Sequence, residues 1–185
     1  MTITKLLAEH WPAVKAIYEE GIATGNATFQ TEAPEWTAWN QAHLPHSRLV
    51  ALSTPTAVTS SDPHSATTRD PRQATPAGHP IVQGWAALSP VSSRPVYAGV
   101  AEVSVYITAG QRGRKLGETL LAALITESEK NGIWTLQASI FPENVASLRI
   151  HAHCGFRQVG YRERIGQMHG IWRDTILVER RAATP

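Results

Sequence analysis

The segment that most constrains this chain is a basic, glycine-bearing turn, Gln111-Arg112-Gly113-Arg114-Lys115-Leu116-Gly117, set between a strand pattern and a helix pattern. Upstream, Glu102, Ser104 and Tyr106 alternate with Val103, Val105 and Ile107, the period of a strand. Downstream, Leu116, Leu120, Leu121, Leu124 and Ile125 recur at helical spacing until Asn131-Gly132 supplies a stop. A turn of this kind at a helix start gathers free backbone N–H groups and the positive end of the helix dipole at one place. Such a place holds a pyrophosphate, and Arg112, Arg114 and Lys115 add countercharge.

The remaining elements follow from the same periodicities. A short strand over residues 2–6 precedes a helix opened by Trp11-Pro12, with Val14, Ile17 and Tyr18 on its buried stripe and Gly21 and Gly25 marking its end. A second helix over 33–44 and strands over 49–52 and 81–88 follow, with a loop over 89–95. The pattern predicts a strand over 134–140 and a helix over 145–153, with Asn144 as its N-cap and Gly155 at its stop. Strands over 157–165 and 171–179, around Gly166 to Gly170, close the chain. The order β-α-α-β-β-β-α-β-α-β-β describes one α/β domain over 1–185, a mixed sheet with helices on both sides. Residues 53–79 break the pattern. They hold four prolines (55, 63, 71 and 76) among serines and threonines, with no aromatic residue, and are expected to form a flexible surface insertion.

Composition removes several classes of function. Hydrophobic residues at 42% and charged residues at 17% fit a globular domain. One cysteine, Cys154, excludes an internal disulfide, and the eight histidines lack metal-ligand spacing, so no metal is expected. There is no run of about 18 apolar residues, the length a membrane-crossing helix needs, and no signal-peptide pattern, so the expected location is the cytoplasm. A net charge of +2 suits an anionic ligand, without the dense Lys/Arg block of a nucleic-acid binder.

Several segments together resemble the GNAT superfamily of N-acetyltransferases, and within it the phosphinothricin acetyltransferase group. The basic turn resembles the superfamily's acetyl-CoA loop (Gln/Arg-x-x-Gly-x-Gly/Ala), with Arg112 in the Gln/Arg place, Lys115 standing for the first glycine and Gly117 as the last. The lysine fits if that position has an ordinary helical backbone. Ala101-Glu102-Val103-Ser104-Val105-Tyr106-Ile107 is similar to the group's central strand, and Asn144 through His151 to Gly155-Phe156 to its Asn-x-x-Ser…His…Gly-Phe segment. Gly166 through Gly170-Ile171-Trp172-Arg173-Asp174 resembles its closing hairpin, and residues 26–32 its acceptor-side stretch.

The resemblance implies a mostly antiparallel sheet, acetyl-CoA as co-substrate, a homodimer, and a small amino acid or glutamate mimic as acceptor. Phosphinothricin, methionine sulfone, methionine sulfoximine and arsinothricin are of this kind. The resemblance also implies that the backbone of Val105, Tyr106 and Ile107 pairs with the pantetheine arm. One N–H there would serve the thioester oxygen.

Acetyl transfer requires a neutral amine, so a base must act near pH 7. Glu102, between apolar neighbours on a central strand, is the candidate, with desolvation raising its pKa; the alternative is a strand-end glutamate paired with an arginine. His151 matches the group's histidine and could protonate the departing thiolate as imidazolium, act as base when neutral, or be a satisfied helix histidine. Asn144 would bond the pantetheine arm or serve only as the cap. Phe29, Arg94 and Tyr97 are acceptor-side candidates; Arg94 either grips a substrate carboxylate or is a solvated loop arginine. Alternative readings are a polyamine, aminoglycoside or protein-amine acceptor, or a non-catalytic acyl-CoA-sensing module.

Overall fold

The computed structural model describes residues 1–53 and 80–183. Its strands are β1 (Thr2–Lys5), β2 (Leu49–Ser53), β3 (Ile81–Pro90), β4 (Val100–Ile107), β5 (Thr135–Ile140), β6 (Arg157–Met168) and β7 (Ile171–Arg181). Its helices are α1 (Trp11–Ala23), α2 (Trp36–Ala42), α3 (Leu116–Lys130) and α4 (Val145–His153), interleaved in the expected order. The strands form one seven-stranded sheet, β1-β2-β3-β4-β5-β7-β6, in which β4 and β5 are parallel and every other pair is antiparallel. Beyond Ser53, the predicted insertion lies outside the described residues.

Alternation along β4 divides the core in two. Ala101, Val103, Val105 and Ile107 turn toward α3 and pack with Leu116, Leu120, Leu121 and Leu124, an aliphatic layer to which α4 adds Leu148 and Ile150. Glu102, Ser104 and Tyr106 take the other face by the same alternation. There Tyr106 joins an aromatic layer of Trp11, Trp39 and Trp85 beneath α1 and α2. The Tyr106 ring stacks on Trp85 at 4.7 Å and meets Tyr18 edge-on at 4.8 Å. Gly21 lies inside α1, not at its end, because a Cβ there would come within 2.6 Å of that ring. The left-handed residue after the helix is Gly25, at φ 68°.

α2 is shorter than its apolar pattern suggests. Pro34 and Pro45 each disfavour helical backbone at the preceding residue, which trims both ends. The helix's last carbonyls end on a buried cation. Arg48, 8% exposed, donates to the carbonyls of Asn40 (2.9 Å), His43 (2.6 Å) and Leu44 and to Asn40 Oδ1, and lies over the Trp39 ring.

The closing hairpin is also tighter than expected. β6 runs to Met168, and only His169 and Gly170 turn, at φ 51° and 78°, the two positive values a type I′ turn needs. Gly166 therefore sits in the strand, where the ring of Phe29 packs so closely that a Cβ would approach it to 2.7 Å. Upstream, the register shifts between Arg162 and Gly166, with Arg164 at φ 48°. Asp174 holds this bulge by accepting from the Arg164 N–H (2.7 Å) and the Tyr161 hydroxyl.

Candidate active site

The parallel pair β4/β5 is where the sheet opens. Its register comprises Val100, Ala101 and Glu102 opposite Thr135, Leu136 and Gln137, although both strands continue beyond that point. The Gly99 carbonyl accepts from the N–H groups of Trp134 and Thr135, while the Thr108 N–H donates to the Gln83 carbonyl of β3. Backbone polar groups alternate along a strand, so those of Val105 and Ile107 aim at the side that β5 has left. They face an opening between two diverging strands.

At the wide end of that opening lies the basic turn. Glu20, from the last turns of α1, accepts from the Thr108 hydroxyl (3.2 Å) and the Ala109 N–H (2.8 Å) and so fixes the turn's first residues. Arg112, Gly113, Arg114 and Lys115 are exposed, and Leu116 is buried as α3 begins. A Cβ on Gly117 would meet Ile150 at 3.3 Å and Ile107 at 3.6 Å, so glycine lets the helix start close against β4 and α4.

Lys115 corrects an expectation. Its backbone is left-handed, φ 62° and ψ 4°, not helical. A glycine at this place in related loops thus has a conformational reason, and the lysine carries strain of about 1–2 kcal/mol. Lys115→Gly should stabilise the fold by a net ~0.5–1 kcal/mol after the entropy of the unfolded glycine is counted. It should also weaken severalfold the binding of the pyrophosphate that this turn is expected to hold, through the lost countercharge. Thermal unfolding and ligand titration check both parts, and an unchanged or lower Tm would overturn the strain assignment.

Glu102 stands at the narrow end of the opening, half-buried, as the last β4 residue in register with β5. Its partner is no arginine. Gln137 Nε2 donates to Glu102 Oε2 at 3.1 Å, and Oε1 has no protein partner among the described residues.

His151 is 2% exposed on α4, edge-on to Phe156 at 4.9 Å. Its Nδ1 lies 2.8 Å from the Ser147 carbonyl, which can only accept, so Nδ1 carries the proton and Nε2 presents a lone pair. Burial lowers its pKa below the usual histidine value, and Nε2 is buried with no partner among the described residues. Burial thus favours the neutral ring over the imidazolium. Cys154, at the C-cap of α4, has its thiol pushed up by burial and is no ready nucleophile.

The acceptor-side candidates form two groups. Phe29 packs edge-on against Phe141 at 4.7 Å, and Arg173 lies over the Phe141 ring at 4.2 Å. Arg173, which sequence reasoning did not single out, donates to the Gly25 carbonyl (3.0 Å), Asn26 Oδ1 and Glu143. It ties the hairpin to the stretch after α1 and to the β5–α4 connection. Asn144 completes this knot: its Oδ1 caps α4 by accepting from Ser147 N, and its Nδ2 donates to the Asn26 carbonyl at 3.1 Å. Both ends of that amide are engaged within the protein. Arg94 and Tyr97 form the second group, exposed before β4 with the guanidinium 5.5 Å from the ring centre. No contact among the described residues joins them to Phe29.

The acetyltransferase (GNAT) domain family matches residues 82–177, just over half of the chain and the whole of the β4–β5 opening. The chain belongs to the GNAT family. It is an acetyl-CoA-dependent N-acetyltransferase. A phosphinothricin N-acetyltransferase of Alcaligenes faecalis is 30% identical over 97% of this chain and 81% of its own length. An L-methionine sulfoximine/L-methionine sulfone acetyltransferase of Pseudomonas aeruginosa is 36% identical over 45% of this chain and 48% of its own. Among solved structures, a GNAT superfamily phosphinothricin acetyltransferase from Sinorhizobium meliloti in complex with acetyl-CoA superposes with a TM-score of 0.74. It covers 97% of this chain and 87% of the other at 24% identity, a likeness of fold.

Proposed function

We propose that this GNAT enzyme transfers acetyl to the amino group of a small amino acid or glutamate analogue, of the phosphinothricin or methionine sulfoximine type, directly within a ternary complex. The observation that carries the reading is Glu102, whose carboxylate stands where β4 and β5 part, with one oxygen unpartnered among the described residues. From Ile107 to Glu102 is five residues, about 16 Å of strand, a distance an extended pantetheine arm can span.

Acetyl-CoA supplies the activated acyl group, and the residues here fit it. The turn of Arg112, Gly113, Arg114, Lys115, Leu116 and Gly117, exposed over its first four residues, would hold the pyrophosphate. The free backbone groups of Val105 and Ile107, on either side of Tyr106, would pair with the amide-bearing arm, and one N–H would serve the thioester oxygen. Glu102 would take the amine's proton. The CoA thiolate is a far weaker base than an alkoxide, so it would leave as thiolate without an obligatory protein acid. His151, neutral and accepting, would orient a hydrogen-bond donor rather than protonate the sulfur. The raised pKa of Cys154 supports direct transfer over an acyl-cysteine.

Arg94 would grip the acceptor's carboxylate bidentately beside Tyr97, and Phe29 would wall the site. A homodimer is supported by the apolar tip of the closing hairpin, where Ile165, Ile171 and Trp172 are each more than half exposed.

The test is CoA thiol release from acetyl-CoA with phosphinothricin, methionine sulfone, methionine sulfoximine, arsinothricin, ordinary amino acids, polyamines and aminoglycosides. Saturable release with an amino-acid analogue is expected. Release with polyamines or aminoglycosides alone would overturn the acceptor assignment, and binding of acetyl-CoA without release across the panel would favour an acyl-CoA sensor.

A further inference from the structure

Glu102 and Gln137 are the last register-matched pair before β4 and β5 separate, so their side chains leave the same face of the sheet. Gln137 Nε2 donates to Glu102 Oε2 at 3.1 Å. On its other flank Gln137 is in register with Glu179 of β7, and Glu179 is ion-paired with Arg157 of β6. Ser89 of β3 flanks Glu102 on the remaining side. One row across the sheet thus reads Ser89, Glu102, Gln137, Glu179, Arg157, with a neutral amide between two carboxylates.

The residue type at position 137 matters for a base. A lysine or arginine beside Glu102 would favour its ionised form and weaken its pull on a proton. A second acid would set like charges side by side. An apolar residue would leave the carboxylate free to rotate. A neutral donor bonded to one oxygen fixes the plane of the carboxylate and leaves the other oxygen for the amine.

We propose that Gln137 is a positioning residue for the base, holding Glu102 through Oε2 so that Oε1 is presented to the acceptor amine. The proposal rests on Glu102 being the base. Gln137 does not touch substrate and acts through Glu102 alone, which makes its effect conditional on the carboxylate.

The test is a double-mutant cycle read in steady-state kinetics with the amine that turns over fastest in the panel. Gln137→Met keeps the length of the side chain and removes its N–H. It should lower kcat about tenfold, the scale of one hydrogen bond to a charged group, with KM for acetyl-CoA within about twofold of the parent. In the Glu102→Gln background the same change should cost less than about twofold, because no carboxylate remains to be held. Gln137→Asn, which retains the amide but retracts it by one methylene, should show the same dependence on Glu102 and guards against a folding defect peculiar to methionine.

Equal losses in both backgrounds would make Gln137 merely structural and overturn the proposal, as would a loss confined to KM. An inactive Glu102→Gln with fully active Gln137 variants would remove Gln137 while keeping the base. A fully active Glu102→Gln would remove the base assignment, and the proposal with it.

Discussion

Glu102→Gln should lower kcat about 100-fold at pH 7, within the range that general-base catalysis contributes, and leave KM for acetyl-CoA within about twofold. The substitution is close to isosteric, and its amide oxygen can still accept from Gln137, so the fold and the opening between β4 and β5 should persist. What is lost is the acceptor for the amine's proton. The pH dependence separates this from a packing defect. An amino-acid amine with a pKa of roughly 9 is about 1% neutral at pH 7 and about half neutral at pH 9. The variant should therefore regain most of its deficit as pH rises, while the parent changes far less. A deficit that stays constant with pH, or turnover equal to the parent at pH 7, would take the base role from Glu102.

Arg48→Met should lower stability by about 3–5 kcal/mol, since it removes several buried hydrogen bonds from a charged donor, each worth about 1.5–3 kcal/mol. The side chain is 8% exposed and serves the carbonyls of Asn40, His43 and Leu44 together with Asn40 Oδ1. Methionine fills similar volume but leaves those acceptors buried, at about 1–3 kcal/mol each where water cannot reach them. In a domain of this size the loss corresponds to a Tm drop of about 10 °C. Arg48→Lys should recover only a minor part, since one ammonium cannot reach acceptors spread over the guanidinium's fork. A drop of less than about 2 °C for Arg48→Met would show that water or a rearranged loop satisfies the helix end. A full recovery by lysine would show that charge alone matters.

What could be read from the sequence was mostly local. Strand and helix periods set the order of all eleven elements, and the Asn144 cap and the stop at Gly155 follow from neighbours in the chain. The basic turn before α3 and the place of Glu102 on a strand were legible for the same reason. Contacts between distant segments were not. Gln137 meets Glu102 across 35 positions, and nothing in either strand's own pattern fixes the register that pairs them. Arg173 is one more cation in a polar hairpin until the fold brings Gly25, Asn26 and Glu143 to it. The protonation state of His151 depends on burial that helical period does not reveal. At Lys115 a local rule existed and pointed the right way: related loops place glycine there, and a positive φ is the usual reason.

The far end of α1 does two jobs at once. Glu20 fastens the residues that lead into the basic turn, while Gly25 and Asn26, a few residues on, receive Arg173 of the closing hairpin and Asn144 of the α4 cap. On the proposed assignment, donor and acceptor pockets share one scaffold. A substitution in residues 25–32 that alters amine preference should then also change coenzyme affinity, whereas one in the loop of Arg94 and Tyr97 should alter amine preference alone.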